Sequence, residues 1–268
     1  MIKPFPNLCG SVAGNPSELG VKMHNAGYLA KGLDYTYIAM GSDNIEKAIS
    51  IFKDMAFKGM GVSMPFKQSV IKFLDEIDDA VQKIGACNTV VNENKKLVGH
   101  NTDWIGALNA IKEVENINLI SKAVIVGSGG VARSIAYALK KHNKEVYISA
   151  RNKSQREQLV KDLNLDGASN LEEQNIFSAD LIVNATPCAD ENGPVKIHQH
   201  KNASVLLDVV FQTKTTALVK AASSLGIKTA CGWRMLLLQG AEQFELYTKE
   251  SAPLDAMGQV LEKWLIGK

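Results

Sequence analysis

The sequence predicts a two-domain α/β protein. Three observations predict it: strand-like and helix-like apolar patterns alternate in both halves, an apolar run breaks into glycines near the middle, and 268 residues suffice for two domains. In chain order, Tyr35-Thr36-Tyr37-Ile38-Ala39 and Gly59-Met60-Gly61-Val62-Ser63 read as strands. Residues 44–57 and 68–81 repeat apolar side chains at helical spacing, which predicts two helices. A junction is predicted near Gly99-His100-Asn101-Thr102-Asp103. A new helical pattern follows it at Ile105, Leu108, Ile111 and Val114, with Thr102 or Asp103 placed to cap it. Next, Val124-Ile125-Val126, Glu145-Val146-Tyr147-Ile148-Ser149-Ala150-Arg151, Asp180-Leu181-Ile182-Val183-Asn184 and Ser204-Val205-Leu206-Leu207-Asp208 read as strands of a parallel sheet, the last two buried and ending in polar residues. Ile135, Ala136 and Leu139 mark a helix after the first of them, residues 187–194 a loop, and residues 215–225 a further helix. Residues 235–247 form a long helix, and Pro253 suits the first turn of a last one, whose Leu254, Met257, Leu261 and Trp264 share an apolar face. The second sheet already has covering helices, so this last helix is expected to return to the first domain. The expected domains are residues 1–101 with 240–268, and residues 102–239.

Composition narrows the function. A formal net charge of +2, with both signs mixed along the chain, predicts neither a nucleic-acid nor an anionic-membrane partner. No apolar run is long enough to span a bilayer, and the N-terminus lacks the basic region and apolar core of a signal peptide, so a cytoplasmic location is expected. Cys9, Cys87, Cys188 and Cys231 are far apart and contain no Cys-x-x-Cys pair, which favours free thiols. His198 and His200 have no third ligand nearby in sequence and read as a polar loop; no metal is expected.

The glycines carry the chemistry. In Val124-Ile125-Val126-Gly127-Ser128-Gly129-Gly130-Val131-Ala132, a buried strand turns sharply into a helix. Glycines let the backbone approach a pyrophosphate, and the amides that open the helix face its negative charge, with Ala132 in the place of the last glycine. This is the outline of a Rossmann-type, doubly wound dinucleotide-binding domain. Roughly 20 residues further on, an NAD site carries Asp or Glu for the ribose hydroxyls. Here the strand ends in Ala150-Arg151, and Arg151, with Lys153 and Arg156 nearby, suits the 2′-phosphate of NADP, although solvated loop charges would read the same way.

Taken together, Gly61-Val62-Ser63-Met64-Pro65-Phe66-Lys67, Ala86-Cys87-Asn88-Thr89, Asn101-Thr102-Asp103, the glycine turn, Asn184-Ala185-Thr186 and Gln239 resemble the shikimate dehydrogenase family in order and spacing along nearly the whole chain. The resemblance implies an N-terminal α/β domain that holds a small polyhydroxylated carboxylic acid, a Rossmann-type NADP-binding domain, and a C-terminal helix that returns to the first domain. It implies reversible oxidation of shikimate to the 3-dehydro ketone with NADP, a step of aromatic amino-acid biosynthesis; an analogue such as quinate is the expected substrate if the branch is divergent, and the sequence leaves monomer and homodimer both open. Lys67 and Asp103 match the family's catalytic pair. Asn88 and Gln239 match residues that bond substrate hydroxyls, and Ser63 stands where the family has threonine. Gly127, Ser128, Gly129, Gly130, Val131, Ala132, Arg151, Asn184, Ala185 and Thr186 fall on the cofactor side. Chemistry suits these positions: oxidising a secondary alcohol needs a hydride acceptor and a group that manages the hydroxyl proton.

Three positions depart from the pattern. The family's Ser-x-Ser pair for the substrate carboxylate falls near Ser17-Glu18-Leu19-Gly20. Register through His24 puts Glu18 and Gly20 at the two serines, whereas register through Gly14-Asn15-Pro16 displaces the loop and leaves Ser17 as the surviving hydroxyl. Phe211 stands where the family supplies a tyrosine hydroxyl, and Arg234 where it has glycine; Arg234 is either a replacement anion contact or a loop cap. These changes describe a divergent branch. A second reading keeps the scaffold as an NADP(H)-binding sensor or partner protein with little catalysis, and a third keeps catalysis but uses NAD equally.

Overall fold

The computed structural model describes residues 6–190, 193–200 and 202–267. The ends of the first expected domain, residues 1–5 and 268, lie outside them, as do residues 191–192 of the 187–194 loop. The chain divides into two compact units, one running to Thr102 and resuming over Gln239–Gly267, the other Asp103–Leu238.

The first unit contains β1 (Asn7–Ala13), α1 (Glu18–Ala30), β2 (Tyr35–Gly41), α2 (Ile45–Asp54), β3 (Gly59–Val62), β4 (Glu76–Ile77), α3 (Asp79–Ile84), β5 (Thr89–Glu93) and β6 (Lys96–His100). The strands form one sheet in the order β2-β1-β3-β5-β6-β4. β1 is parallel to β2 and β3, and β5 runs antiparallel to β3 and β6. Side chains set the helix starts: the Ser17 hydroxyl accepts from Leu19 N–H and the Asn44 carbonyl from Lys47 N–H, each satisfying an orphan donor of the first turn. Asn94 and Lys95 take positive φ between β5 and β6, the backbone of a two-residue hairpin turn. Phe52, Phe57, Met60, Val70, Val81, Val90 and Leu97 meet in the core.

The single helix predicted over 68–81 does not form. Ser69–Phe73 make a short 3₁₀ turn, β4 pairs with β6, and only then does α3 begin. Two aspartates divert the chain. The Asp75 carboxylate accepts from Leu97 N–H at 2.7 Å, and Asp78 caps α3 by accepting from Val81 N–H at 2.7 Å. Such side chains compete with the helical backbone for its own hydrogen bonds.

The second unit contains α4 (Asp103–Lys112), β7 (Lys122–Val126), α5 (Gly130–Lys141), β8 (Glu145–Ser149), α6 (Lys153–Leu163), β9 (Gly167–Ser169), β10 (Leu181–Asn184), β11 (Val205–Asp208), α7 (Ala217–Ser224) and β12 (Lys228–Cys231). Its sheet is parallel throughout, in the order β12-β11-β10-β7-β8-β9. Order reverses between β7 and β10, so this is the doubly wound topology expected from the sequence. Both faces are covered: Ala123 and Ile125 of β7 join one apolar cluster with Ile135 and Leu139, while Val124 and Val126 join another with Leu206 and Leu218.

The division between the units falls inside α8 (Gly232–Thr248), and α9 (Leu254–Ile266) follows it. α9 packs on α1 through Met257 and Leu261, joined by Leu265. Leu254, expected on that apolar face, is exposed; it is the first residue of the helix, and Pro253 lies at the cap position just before it. Among the described residues no helix is long and apolar enough to cross a membrane.

Candidate active site

In the first unit, strand register gathers the expected substrate-side residues at one end of the sheet. Val12 pairs with Val62, Gly61 with Thr89, and Thr89 with His100, so the segments after β1, β3 and β6 and the residue before β5 share that end. Gly14 N–H donates to Met64 O at 3.0 Å and Ser63 N–H to Val12 O at 2.9 Å, which joins the Ser17 loop to the Ser63–Lys67 segment. Cys87 N–H donates to Lys67 O at 2.7 Å and fixes the lysine's backbone beside Asn88. Ser63 is exposed and Lys67 half-buried.

Asn88 is buried, and both ends of its amide are hydrogen-bonded. Its Oδ1 accepts from Thr102 N–H at 2.7 Å and from the Thr89 hydroxyl at 2.8 Å. Its Nδ2 donates to Thr102 Oγ1 at 2.9 Å and to Gln239 Oε1 at 3.2 Å. Thr102 Oγ1 donates in turn to Gln239 Oε1 at 3.2 Å. Asn101, also buried, donates to Ala86 O at 2.8 Å, and Asp103, 6% exposed, is the first residue of α4. Asn88 and Gln239, 151 positions apart, are thereby in direct contact.

The Ser17 loop offers an anion one hydroxyl. The Ser17 hydroxyl caps α1, and the Glu18 carboxylate accepts from Trp264 Nε1–H at 2.7 Å and pairs with Lys22 at 3.3 Å. Glu18 is therefore held on the α9 side of α1. A Cβ on Gly20 would sit 3.6 Å from the Tyr37 ring. His24, one turn on, is fully buried and stacks on Tyr37 with ring centroids 4.3 Å apart. Its ring nitrogens have no hydrogen-bond partner, and burial pushes its pKa down to about 4; the Gln243 amide beside it offsets part of that without closing a hydrogen bond.

In the second unit, the glycine turn lies at the switch point of the sheet. Gly127 has φ +127°, and a Cβ there would lie 2.8 Å from Ala185 O, so only glycine fits between β7 and the 185–186 loop. A Cβ on Gly129 would meet nothing within 4 Å, and Gly129 precedes α5 with no side chain capping it. Open space over uncapped helix amides is what a pyrophosphate requires. Ser128 Oγ donates to Gln155 Oε1 at 3.2 Å, and Ala132 is packed into the core behind the turn, with Gly130 and Val131 in the first turn of α5. Gly127 N–H donates to Ser149 O at 2.8 Å, which brings the end of β8 beside the turn. Arg151, two residues on, is exposed; Arg156 Nη1 is spent on Ala150 O at 2.8 Å and Lys153 pairs with Glu157 at 3.8 Å. The glycine turn and the exposed Arg151 fit NADP.

Asn184 is buried and shapes its loop rather than facing outward. Its Nδ2 donates to Asp208 Oδ1 and Cys188 O, both at 2.9 Å, and its Oδ1 lies 2.7 Å from Thr186 Oγ1. Asp208 also accepts from the Thr216 hydroxyl at 2.6 Å and from Val210 N–H; burial nevertheless raises its pKa. Arg234 makes a two-pronged ion pair with Glu113, 2.8 Å at Nε, and lies 5.2 Å from the Trp233 ring, which favours a structural role over an anion contact. Thr89 stands in the sequence as part of a motif with no role assigned to it, and Gln243 is not singled out there. The signal for Gln243 is its spacing: it falls four residues after Gln239, on the same face of α8, in a run otherwise rich in apolar residues.

A family model described as the shikimate dehydrogenase substrate binding domain matches residues 14–90, and one described as the shikimate 5′-dehydrogenase C-terminal domain matches residues 232–262. A third, an NADP oxidoreductase described as coenzyme F420-dependent, matches residues 122–211. Shikimate dehydrogenase (NADP(+)) of Desulforamulus reducens is 34% identical, over 96% of this chain and 94% of its own. The chain belongs to the shikimate dehydrogenase family. A shikimate dehydrogenase-like protein of Haemophilus influenzae is 35% identical over 93% of each chain. The crystal structure of a shikimate dehydrogenase in complex with NADP+ superposes with a TM-score of 0.88, at 31% identity, covering 99% of this chain and 98% of that one. In this chain's Ser17 loop, the serine hydroxyl caps α1 and Glu18 accepts from Trp264.

Proposed function

We propose that the chain is an NADP-dependent dehydrogenase that interconverts shikimate, or a close analogue such as quinate, with its 3-dehydro ketone. The observation that carries this reading is the buried Asn88-Thr89-Thr102-Gln239 network next to the backbone of Lys67. Such an array of amides and hydroxyls suits a polyhydroxylated ring, because each ligand hydroxyl both donates and accepts.

The reaction removes a hydride and a proton from a secondary alcohol. NADP, when bound, supplies the hydride acceptor. The turn formed by Gly127, Ser128, Gly129, Gly130, Val131 and Ala132 would hold its pyrophosphate, Arg151 its 2′-phosphate, and Asn184, Ala185 and Thr186 the rest of the cofactor. Lys67 Nζ hydrogen-bonds the reacting oxygen and, with Asp103, takes the hydroxyl proton as the carbonyl forms; in the reverse direction it returns it. Gln239, Asn88 and Ser63 bond the other hydroxyls. The Ser17 loop gives the carboxylate weak anchorage, so quinate and ring analogues without a carboxylate belong in the test beside shikimate.

A spectrophotometric assay on the purified protein decides it. NADP-dependent oxidation of shikimate or quinate that disappears in Lys67→Ala is the expected result. NADP(H) binding with no turnover of any of these compounds would instead favour the sensor or partner-protein reading.

A further inference from the structure

Gln243 is 5% exposed on α8, one turn after Gln239. Its neighbours Leu237, Phe244 and Tyr247 are buried and apolar or aromatic. Burying an amide among them is costly unless it is hydrogen-bonded, and the partners of Gln243 lead towards the substrate-side network. Its Nε2 donates to Thr89 Oγ1 at 3.0 Å and to Asn88 O at 3.3 Å.

We propose that Gln243 is a positioning residue: through Thr89 and Asn88 it fixes which end of the Gln239 amide is offered to the substrate. This rests on the reading above, in which Gln239 contacts substrate hydroxyls. Backbone groups, whose polarity cannot flip, anchor the direction of the chain at two points. Asn88 O can only accept, so the nitrogen end of Gln243 faces β5. Thr89 Oγ1 accepts from that nitrogen and gives its single hydrogen to Asn88 Oδ1 at 2.8 Å, in preference to Thr102 Oγ1 at 3.3 Å. Thr102 N–H can only donate, and it also reaches Asn88 Oδ1. The Nδ2 end of Asn88 is consequently directed at Thr102 Oγ1 and Gln239 Oε1. Gln239 Oε1 then accepts from both Asn88 and Thr102, so its nitrogen end is turned away from Asn88. A substrate oxygen therefore meets Gln239 as a hydrogen-bond donor. Gln243 also braces α8 against the start of β5, which sets how far Gln239 projects.

The test has two readouts. In the ligand-free protein, the side-chain amide NMR signals of Asn88 and Gln239 report the network directly. In turnover, the KM for the acid substrate reports what Gln239 offers. Gln243→Met, of similar length but without the amide, is expected to shift both amide signals. It should raise substrate KM by about tenfold, the scale of one lost hydrogen bond, with the KM for NADP unchanged. Thr89→Val should do the same and Thr89→Ser should not, and the double variant Gln243→Met/Thr89→Val should be no worse than either single one. A lower melting temperature with unmoved amide signals and KM would overturn the proposal, as would additive effects in the double variant. If Gln243→Met does not fold, Thr89→Val against Thr89→Ser makes the same comparison from the strand side. Amide signals that shift in Gln243→Met, together with a wild-type protein that turns over neither shikimate nor quinate, would sink the substrate reading and leave the coupling of Gln243 to Gln239 standing.

Discussion

Lys67 is tethered by its backbone to Cys87, the residue before Asn88, so its segment cannot move independently of the amide network. Its loss should therefore be chemical rather than structural. Lys67→Ala is expected to lower kcat by about 10²–10⁴-fold, the usual worth of positioned proton transfer, with NADP(H) affinity, followed by nicotinamide fluorescence, unchanged. Equal losses in turnover and cofactor binding would count against the assigned role. Arg151 makes the complementary case. It is exposed two residues past β8, whose end lies beside the glycine turn, and it is the cation proposed above for a 2′-phosphate. Arg151→Ala should reduce the ratio of kcat/KM for NADP over NAD by about 10- to 100-fold, from the loss of charge-assisted hydrogen bonds. An unchanged ratio would mean that NADP preference arises elsewhere. Lys67, Asn88 and Gln239 were legible as candidates because the motifs that carry them resemble the family's, and the structure brings Asn88 and Gln239 into contact. The partners of Gln243 and Thr89 were not legible, because neither helical spacing nor a motif shows what a buried glutamine and a strand threonine touch.

Elements were legible where one physical cause dominates. The strands flanking the glycine turn are continuous apolar runs because both faces of their sheet are covered, and the turn is written in glycines because Gly127 has φ +127° against the Ala185 carbonyl. Gly127→Ala should therefore destabilise the protein by about 1–3 kcal/mol and weaken NADP binding, whereas Gly129→Ala, with open space at its Cβ, should weaken binding more than stability. Thermal melts paired with NADP titration separate the two; equal stability losses would show that Gly129 is also constrained by the fold. The 68–81 region failed because its apolar spacing gave no weight to Asp75 and Asp78, whose carboxylates take backbone partners at Leu97 and Val81. β5 and β6 went unread because their hairpin turn is Asn-Lys, with lysine in a left-handed conformation that glycine normally supplies.

Across the whole molecule, each unit buries one neutral histidine, and this sets its response to acid. His24 in the first unit is surrounded by Tyr28, Tyr37, Tyr247 and Gln243, none of them a carboxylate that could pair with a charged ring. His200 in the second unit has Gln174 Oε1 at 3.2 Å. Burial lowers both pKa values to about 4, against 6.5 for the free side chain. A depressed folded-state pKa means the unfolded chain takes up protons first, so the contribution is intact above pH 6.5 and is lost as pH falls towards 4. For His24 the loss is about 3 kcal/mol, with less from His200. Asp208 and Glu242 act in the opposite sense, since burial raises their pKa values and so favours the folded state at low pH, but their shifts are smaller than those of the two imidazoles. Melting temperature should accordingly fall steeply between pH 6.5 and 4. His24→Asn with His200→Asn should flatten that slope even if both substitutions lower stability at neutral pH. A slope that persists in the double variant would place the acid sensitivity in the carboxylate ion pairs, such as Asp162 with Arg133, whose depressed pKa gives way at still lower pH.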